Sequence, residues 1–305
     1  MKVLTSSSLS AFRDCPRKYF HQYERGRVPL AESEALTLGK WIHAALDAWW
    51  RIDGTIQDRH LAAVEAAPLD LMPEQTMARA LAMLYHYAPP VDQFNVLAVE
   101  QPFEVKIENG NGKGRSFYGY RLAGKIDVVL KRKDTGDIWI MDHKTTTREI
   151  VGFGSYWQRL QVDGQMSNYC LAFNARGFIY DALRVPSVRL CGKDEAEAAK
   201  TGTDPSEAYM QRCISIIAED PAQWYQWREY TKTNDDMAEA RQDLWQQVEM
   251  FRSCDTAARW PRNPNACVGL YGTCPYLDVC TGKADLDDDA LFRTKAEAHE
   301  ELNEL

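Results

Sequence analysis

The feature that most constrains this chain is a pair of strand-like segments around a tight turn, carrying two acids and a lysine. Leu122 to Lys131 is rich in strand formers, Asp134-Thr-Gly-Asp137 has turn chemistry, and Ile138-Trp-Ile-Met-Asp142 runs back, so the stretch reads as a β-hairpin. Strand alternation sends Asp142 and Lys144, two apart, to one side. The hairpin can bring Asp127, in Gly124-Lys-Ile-Asp127, beside Asp142, so that two carboxylates and an ammonium converge on one point. Carboxylates that cannot satisfy each other suit a divalent cation, and a lysine beside them suits an anionic substrate. This is a set of groups fit for metal-assisted hydrolysis of a phosphodiester.

The 305 residues are enough to bury a substantial core, as one large domain or a core with insertions. The N-terminus, Met-Lys-Val-Leu-Thr-Ser-Ser-Ser, has no apolar signal core, and no apolar run is long enough to span a bilayer, so a cytosolic protein with no membrane partner is expected. In a reducing compartment the eight cysteines point to metal or cluster ligation, or to core packing, before disulfides.

A net charge of −8 argues against nucleic-acid binding only if it is spread evenly. Residues 281–305 hold eight acids against Lys283, Arg293 and Lys295, an acidic tail of charge −5 that leaves −3 over residues 1–280. Arg13, Arg17, Lys18, Arg25 and Arg27 cluster near the N-terminus, and local basic surface makes phosphate contacts. With Tyr19 and Tyr23, which fit a core equally well, Arg13, Arg17, Lys18 and Arg25 could line a path for a single strand.

Thr5-Ser-Ser-Ser8 offers helix caps ahead of Leu9 and Phe12, and Pro16 must break or restart that helix. A second helix runs to about Arg25. From Ala35 to Trp50, Leu38, Ile42, Ala45, Leu46 and Trp49 fit a helical period, with His43 beside the stripe. Residues 51–94 read as a helical insertion. Val96 to Glu108 is a strand, followed by a Gly/Asn loop whose Gly-Lys pair lacks P-loop spacing, so no intrinsic ATP binding is expected. Leu160 to Ala175 reads as one helix, Gly177–Tyr180 and Val188–Cys191 as strands, and Asp236–Phe251 as a helix. The order predicts an α/β fold with a mixed central sheet flanked by helices.

G-x-x-D followed by D-x-K at the end of the next strand resembles the PD-(D/E)XK nuclease superfamily, and in particular its RecB-like members. The resemblance implies a restriction-endonuclease-like sheet over one domain, residues 1–280. It supplies further site residues: His43 on an upstream helix, and Gln165 with Tyr169 one helical turn apart. It implies that Asp127, Asp142, His43 and the backbone carbonyl of His143 hold Mg²⁺ or Mn²⁺, that Lys144 serves the attacking water and the phosphate, and that Gln165 and Tyr169 position ligands or the DNA backbone. Glu100, on the preceding strand, stands where the family often has an acid. The implied activity is metal-dependent hydrolysis of DNA, single-stranded or at ends, by an exonuclease in recombination, repair or phage DNA processing. The setting would be the cytoplasm of a bacterium or phage-infected host, with a separate helicase or recombination partner. The alternative class is a catalytically idle DNA-binding or scaffold protein; retention of both acids and the lysine favours the enzyme.

Cys267, Cys274 and Cys280 lie amid Gly and Pro, a poor core element but a good ligand loop, and Cys15 at the other end of the chain is the candidate fourth ligand. From the residues alone a four-thiolate zinc site and an iron–sulfur cluster stand level. One N-terminal and three C-terminal cysteines resemble the iron–sulfur branch of the superfamily, which includes the AddB nuclease domain and CRISPR-adaptation nucleases. That implies a [4Fe–4S] cluster joining the N-terminal helix to residues 265–280. The chain departs from the common C-x2-C-x5-C spacing at its first gap, which is six residues here. Cys170, Cys191, Cys213 and Cys254 read as small core residues, with Cys254 a spare should Cys267 be dispensable.

Overall fold

The computed structural model describes residues 1–31, 33–66, 72–109, 116–269 and 272–302. In chain order it forms β1 (Lys2–Thr5), α1 (Ser6–Asp14), α2 (Pro16–Tyr19), β2 (Arg27–Pro29), α3 (Glu34–Arg51), α4 (Ile56–Ala66), α5 (Glu74–Tyr85), β3 (Phe94–Glu108), β4 (Ser116–Arg132) and β5 (Ile138–Thr146). There follow α6 (Ser155–Gln161), α7 (Gly164–Phe173), β6 (Gly177–Arg184), α8 (Gly192–Thr201), α9 (Pro205–Glu219), β7 (Tyr225–Thr231), α10 (Asn234–Thr256), β8 (Val268–Gly269), β9 (Gly272–Thr273), α11 (Leu277–Cys280) and β10 (Phe292–Thr294). The chain divides into two compact units. Met1–Glu32, Pro102–Lys125 and Asn234–Leu305 make the first; Ser33–Gln101 and Ile126–Thr233 make the second.

In the second unit the predicted hairpin is present: β4 and β5 run antiparallel, with Leu130 opposite Trp139 and Val128 opposite Met141. Gly136 takes the positive φ of 77° that its turn needs. Strand β6 lies parallel to β5 and β7 antiparallel to β6, so the sheet is mixed, as the alternation of elements predicted. At the start of β6 a Cβ on Gly177 would collide with the Tyr230 carbonyl and the Trp139 ring, so only glycine lets the strands close there. The stripe Leu38, Ile42, Ala45, Leu46 and Trp49 on α3 is buried, in one cluster with Val128, Met141 and Ile179. Ser33 caps α3 by accepting from the Leu36 N–H. The region read as a helical insertion holds α4 and α5, while residues 67–71 lie outside the described ones.

Two local expectations in this unit fail. Leu160–Ala175 is two helices: Asp163 accepts from the Gln165 N–H (2.9 Å), starting α7 anew after α6 has ended. Val188–Cys191 is not a strand, because Cys191 is the N-cap of α8 and its N–H donates to Asp194 (2.9 Å). Cys191 is exposed rather than core, whereas Cys170 and Cys213 are buried.

In the first unit β1 runs parallel to the opening of β4, Leu4 opposite Leu122. Thr5 and Ser8 close a capping box on α1, and Pro16 opens α2. Tyr19 and Tyr23 do not line a strand path. They are buried in a core cluster with Phe12, Phe251 and Trp260, stacked on each other at 5.3 Å. Arg17 donates to the Trp260 carbonyl, Lys18 pairs with Asp14 and Arg25 grips Asp287, so these cations are engaged within the unit. The acidic run after residue 281 packs rather than trailing. Leu286 and Phe292 are buried, β10 pairs antiparallel with β2, and the buried Arg27 meets Asp289 (2.9 Å). Asp287 and Asp289 of this run serve as partners for Arg25 and Arg27.

Candidate active site

The register of the hairpin builds the site. Val128–Met141 is the last pair of the β4–β5 ladder, and the next residue on each strand is a carboxylate, Asp127 and Asp142. Asp127 Oδ2 accepts from the His143 N–H at 2.7 Å. Asp142 Oδ2 lies 2.6 Å from Lys144 Nζ, its neighbour by strand alternation, and Asp142 Oδ1 accepts from Gln165 Nε2 at 3.2 Å. The same Gln165 amide donates to Tyr169 Oη (3.2 Å), as an i, i+4 pair on one face of α7 can. His43, on α3, places Nδ1 3.5 Å from Asp127 Oδ2. All six side chains predicted for this site come together in the second unit, along with the His143 backbone.

The electrostatics follow from crowding two carboxylates in a buried place. Burial, and then the charge of Asp142, push the Asp127 carboxyl up to about 7. Burial would lower the pKa of Lys144, but Asp142 and Asp127 outweigh it and hold the ammonium above its ordinary value. Burial lowers His43 and keeps its ring neutral, as a ligand must be. Burial, reinforced by Asp142, keeps the Tyr169 phenol protonated. Glu100 in β3 adopts φ of 53°, a left-handed value that costs an L-residue about 1 kcal/mol or more, and its charge acts on His43.

These donors suit a hard divalent cation. Among the described residues no three His, Cys, Asp or Glu side chains are drawn tightly enough together to cage a metal by themselves. Two carboxylates with the rest of the shell left to water and substrate phosphate is how Mg²⁺ is commonly held.

Behind this site is a group that sequence reasoning missed. His143 faces away from Asp142, and its Nδ1 lies 2.8 Å from Asp181 Oδ2 on β6. The same oxygen accepts from Tyr87 Oη (2.5 Å), which in turn accepts from Trp50 Nε1 (3.0 Å). All four side chains are buried. The only signal in the sequence is one acid inside the apolar run Gly177–Arg184.

A family model for the PD-(D/E)XK nuclease superfamily matches residues 3–281. The chain belongs to that superfamily. Its members typically use a divalent metal. Solved structures that resemble this nuclease-superfamily member include a candidate exonuclease from Eubacterium rectale, at 12% identity over 94% of this chain and 90% of that one with a TM-score of 0.47. Another is SSO0001, at 14% identity over 70% and 74% with a TM-score of 0.31. No curated protein matches.

The first unit of this nuclease-superfamily member holds the other set of predicted ligands. Cys15, Cys267, Cys274 and Cys280 line one pocket together with Lys18 and Arg262. The Asn263 N–H donates to Cys15 Sγ (3.3 Å), and His21 Nε2 lies 3.9 Å from Cys280 Sγ. As they stand, the thiols face a common space without closing on it. No ligand cluster is formed among the described residues. Four sulfurs lining one pocket, with an N–H donor on Cys15 and the cations Lys18 and Arg262 beside them, are a donor set of the kind that a thiolate-bound metal or cluster takes. No helix among the described residues is long and apolar enough to cross a membrane.

Proposed function

We propose that this chain is a metal-dependent deoxyribonuclease that hydrolyses phosphodiester bonds from a DNA end. The observation that carries this reading is the Asp142–Lys144 contact on one strand, with Asp127 bonded to the His143 peptide between them, in a member of a nuclease superfamily. Asp127, Asp142, the His143 carbonyl and His43 would hold Mg²⁺ or Mn²⁺, which when bound polarises the phosphate and acidifies water. Lys144 is a cation held charged by two carboxylates, suited to orient a nucleophile and offset the charge that develops on the phosphate. Gln165 fixes the rotamer of Asp142 from α7, and Tyr169 fixes Gln165. No ATP-binding loop stands in the sequence, so strand separation would fall to a separate helicase or recombination partner.

We infer further that Cys15, Cys267, Cys274 and Cys280 hold a [4Fe–4S] cluster, supported by their place on one pocket and by the family's iron–sulfur branch. Elemental analysis of anaerobically purified protein decides this. About four irons with acid-labile sulfide per chain support the cluster, and a single zinc replaces it with a structural zinc site.

The enzymatic test uses end-labelled single- and double-stranded DNA with Mg²⁺ or Mn²⁺, and a folded Lys144→Ala variant alongside. Metal-dependent cleavage that falls by about 10³-fold in the variant is the expected result. Metal-loaded wild type that cuts neither substrate would move the chain to an idle DNA-binding or scaffold role. Equal cleavage by both proteins would place the chemistry elsewhere.

A further inference from the structure

The registers of three strands set more than the carboxylates in line. Asp142 on β5 is opposite Tyr180 on β6, and Tyr180 is opposite Arg228 on β7. Residues opposite each other share a face, so Arg228 stands in the row that contains Asp142. Two strand spacings put its backbone about 10 Å away. Among the described residues its guanidinium forms no ion pair with an acid. It lies over the Trp157 ring at 4.2 Å and the Phe153 ring at 5.0 Å, and Nη2 donates to the Gly152 carbonyl at 2.5 Å.

The loop it grips follows directly from the strand that carries Asp142 and Lys144. Trp157 and Ile150 are buried and bonded, the indole N–H donating to the Ile150 carbonyl (2.7 Å), so the loop has two internal anchors. Between them Phe153 is left 77% exposed and Val151 44% exposed. Residues 147–162 contain Arg148 and Arg159 against one acid, Glu149, and nearby Asp163 is engaged in capping α7 and in a bond with Tyr180. The charges of Lys144, Asp142, Arg148 and Arg159 all act on Tyr156, which puts the arginines of this segment in the neighbourhood of the catalytic strand.

An exposed ring with a guanidinium over it, beside cations and close to the strand row of the proposed active site, matches what a single strand presents: an unstacked base followed by a phosphate. We propose that Phe153, braced by Arg228, is a stacking platform for an unpaired base of single-stranded DNA near the scissile phosphate, with Arg148 and Arg159 serving the backbone. This rests on the nuclease reading above and names the form of substrate that the site takes. A duplex end would have to release its terminal base to use the platform.

The test is binding of a single-stranded oligonucleotide carrying 2-aminopurine, with Ca²⁺ in place of Mg²⁺, to wild type, Phe153→Ala and Phe153→Trp. A second strand has abasic sites in the stacking positions. Wild type should quench 2-aminopurine. Phe153→Ala should lose the quenching and bind the ordinary strand about tenfold more weakly, with no change on the abasic strand, and Phe153→Trp should restore both. Phe153→Ala that binds and quenches like wild type overturns the platform and leaves the ring to a protein partner. Equal weakening on ordinary and abasic strands overturns it too, because the loop and not stacking is then at fault. Wild type that neither binds nor cuts any DNA fails the nuclease reading itself, an outcome distinct from wild type that cuts and a variant that is indifferent.

Discussion

Asp127, Asp142 and Lys144 sit on one hairpin, whereas the cysteine pocket draws Cys15 to a segment at the other end of the chain. The first set is at bonding distance already: Asp142 touches Lys144 and Gln165, and Asp127 touches the His143 peptide. The second shares a pocket but leaves its thiols short of a ligand shell. Strand register is enforced by backbone bonds and fixes side chains on its own. Loops of Gly and Pro carry no such template, and a group that binds four sulfurs would itself supply the closing free energy. The carboxylate pair is therefore set by the bare fold, whereas closing the thiol pocket would fall to the ligand proposed for it.

The sharpest break in this comparison comes from Asp127→Asn. Cleavage should fall by about 10³-fold or more, because one of the two carboxylates proposed to hold the metal is gone. The metal-free variant should nevertheless be more stable than wild type. The folded carboxyl titrates near 7 and the unfolded one near its ordinary value of 3.8, so the native state keeps a proton that the unfolded state loses. The contribution of this one carboxyl to wild-type stability thus falls as pH rises from about 4 to 7 and is flat above that. The amide, which can still accept from the His143 N–H, escapes this cost, for a gain on the order of 4 kcal/mol at pH 8 and none near pH 3. Thermal melts at both pH values, with and without Mn²⁺, check the prediction. Mn²⁺ should raise the midpoint of wild type and not of the variant, and a variant less stable than wild type at pH 8 would mean that the carboxylates are not in conflict.

Cys280→Ser probes the other half. Metal content should collapse and stability drop by about 3 kcal/mol or more, with amide protection lost first around Trp260 and Tyr276 rather than at Met141 and Ile179. Cys213→Ser, in the core of the second unit, should leave the metal content as it was. If Cys280→Ser melts like wild type and keeps its metal, the pocket is not a ligand site.

The sequence was most legible where a short period decides the structure. Asp127, Asp142 and Lys144 could be placed because alternation and a four-residue turn leave one arrangement, and the α3 stripe because its period is 3.6. Tyr19 and Tyr23 left two readings open, since an amphipathic tyrosine suits a binding groove and a core equally until its neighbours are known, and the core is where they lie. The break between α6 and α7 turns on Asp163 acting as a cap, a choice that periodicity does not register. Asp181 was beyond reach: its partners Tyr87 and Trp50 come from distant segments, and an acid in an apolar strand reveals nothing of what it meets.

Asp181 is also where the smallest predicted effect would separate positioning from mere burial. It accepts from Tyr87 and faces His143, and the His143 peptide fixes Asp127 on the opposite side of the strand. Asp181→Asn keeps the shape and an oxygen that both neighbours can still share, but it removes the charge that strengthens those two bonds and adds a buried NH₂ donor where the carboxylate had only acceptors. A loss of about 1–3 kcal/mol is expected, because buried donors are left without acceptors. If the network only fills space, Mn²⁺ affinity will be unchanged once the protein is folded. If it holds the His143 peptide, Mn²⁺ affinity should weaken about tenfold or more, as it does when support behind a metal ligand is removed. Tyr87→Phe removes one donor and should cost less. In the double variant the two losses should fall short of their sum by about 1 kcal/mol, since both act on one oxygen. Strict additivity would show that Tyr87 and His143 hold Asp181 independently, and that the network does not act as a unit on the catalytic strand.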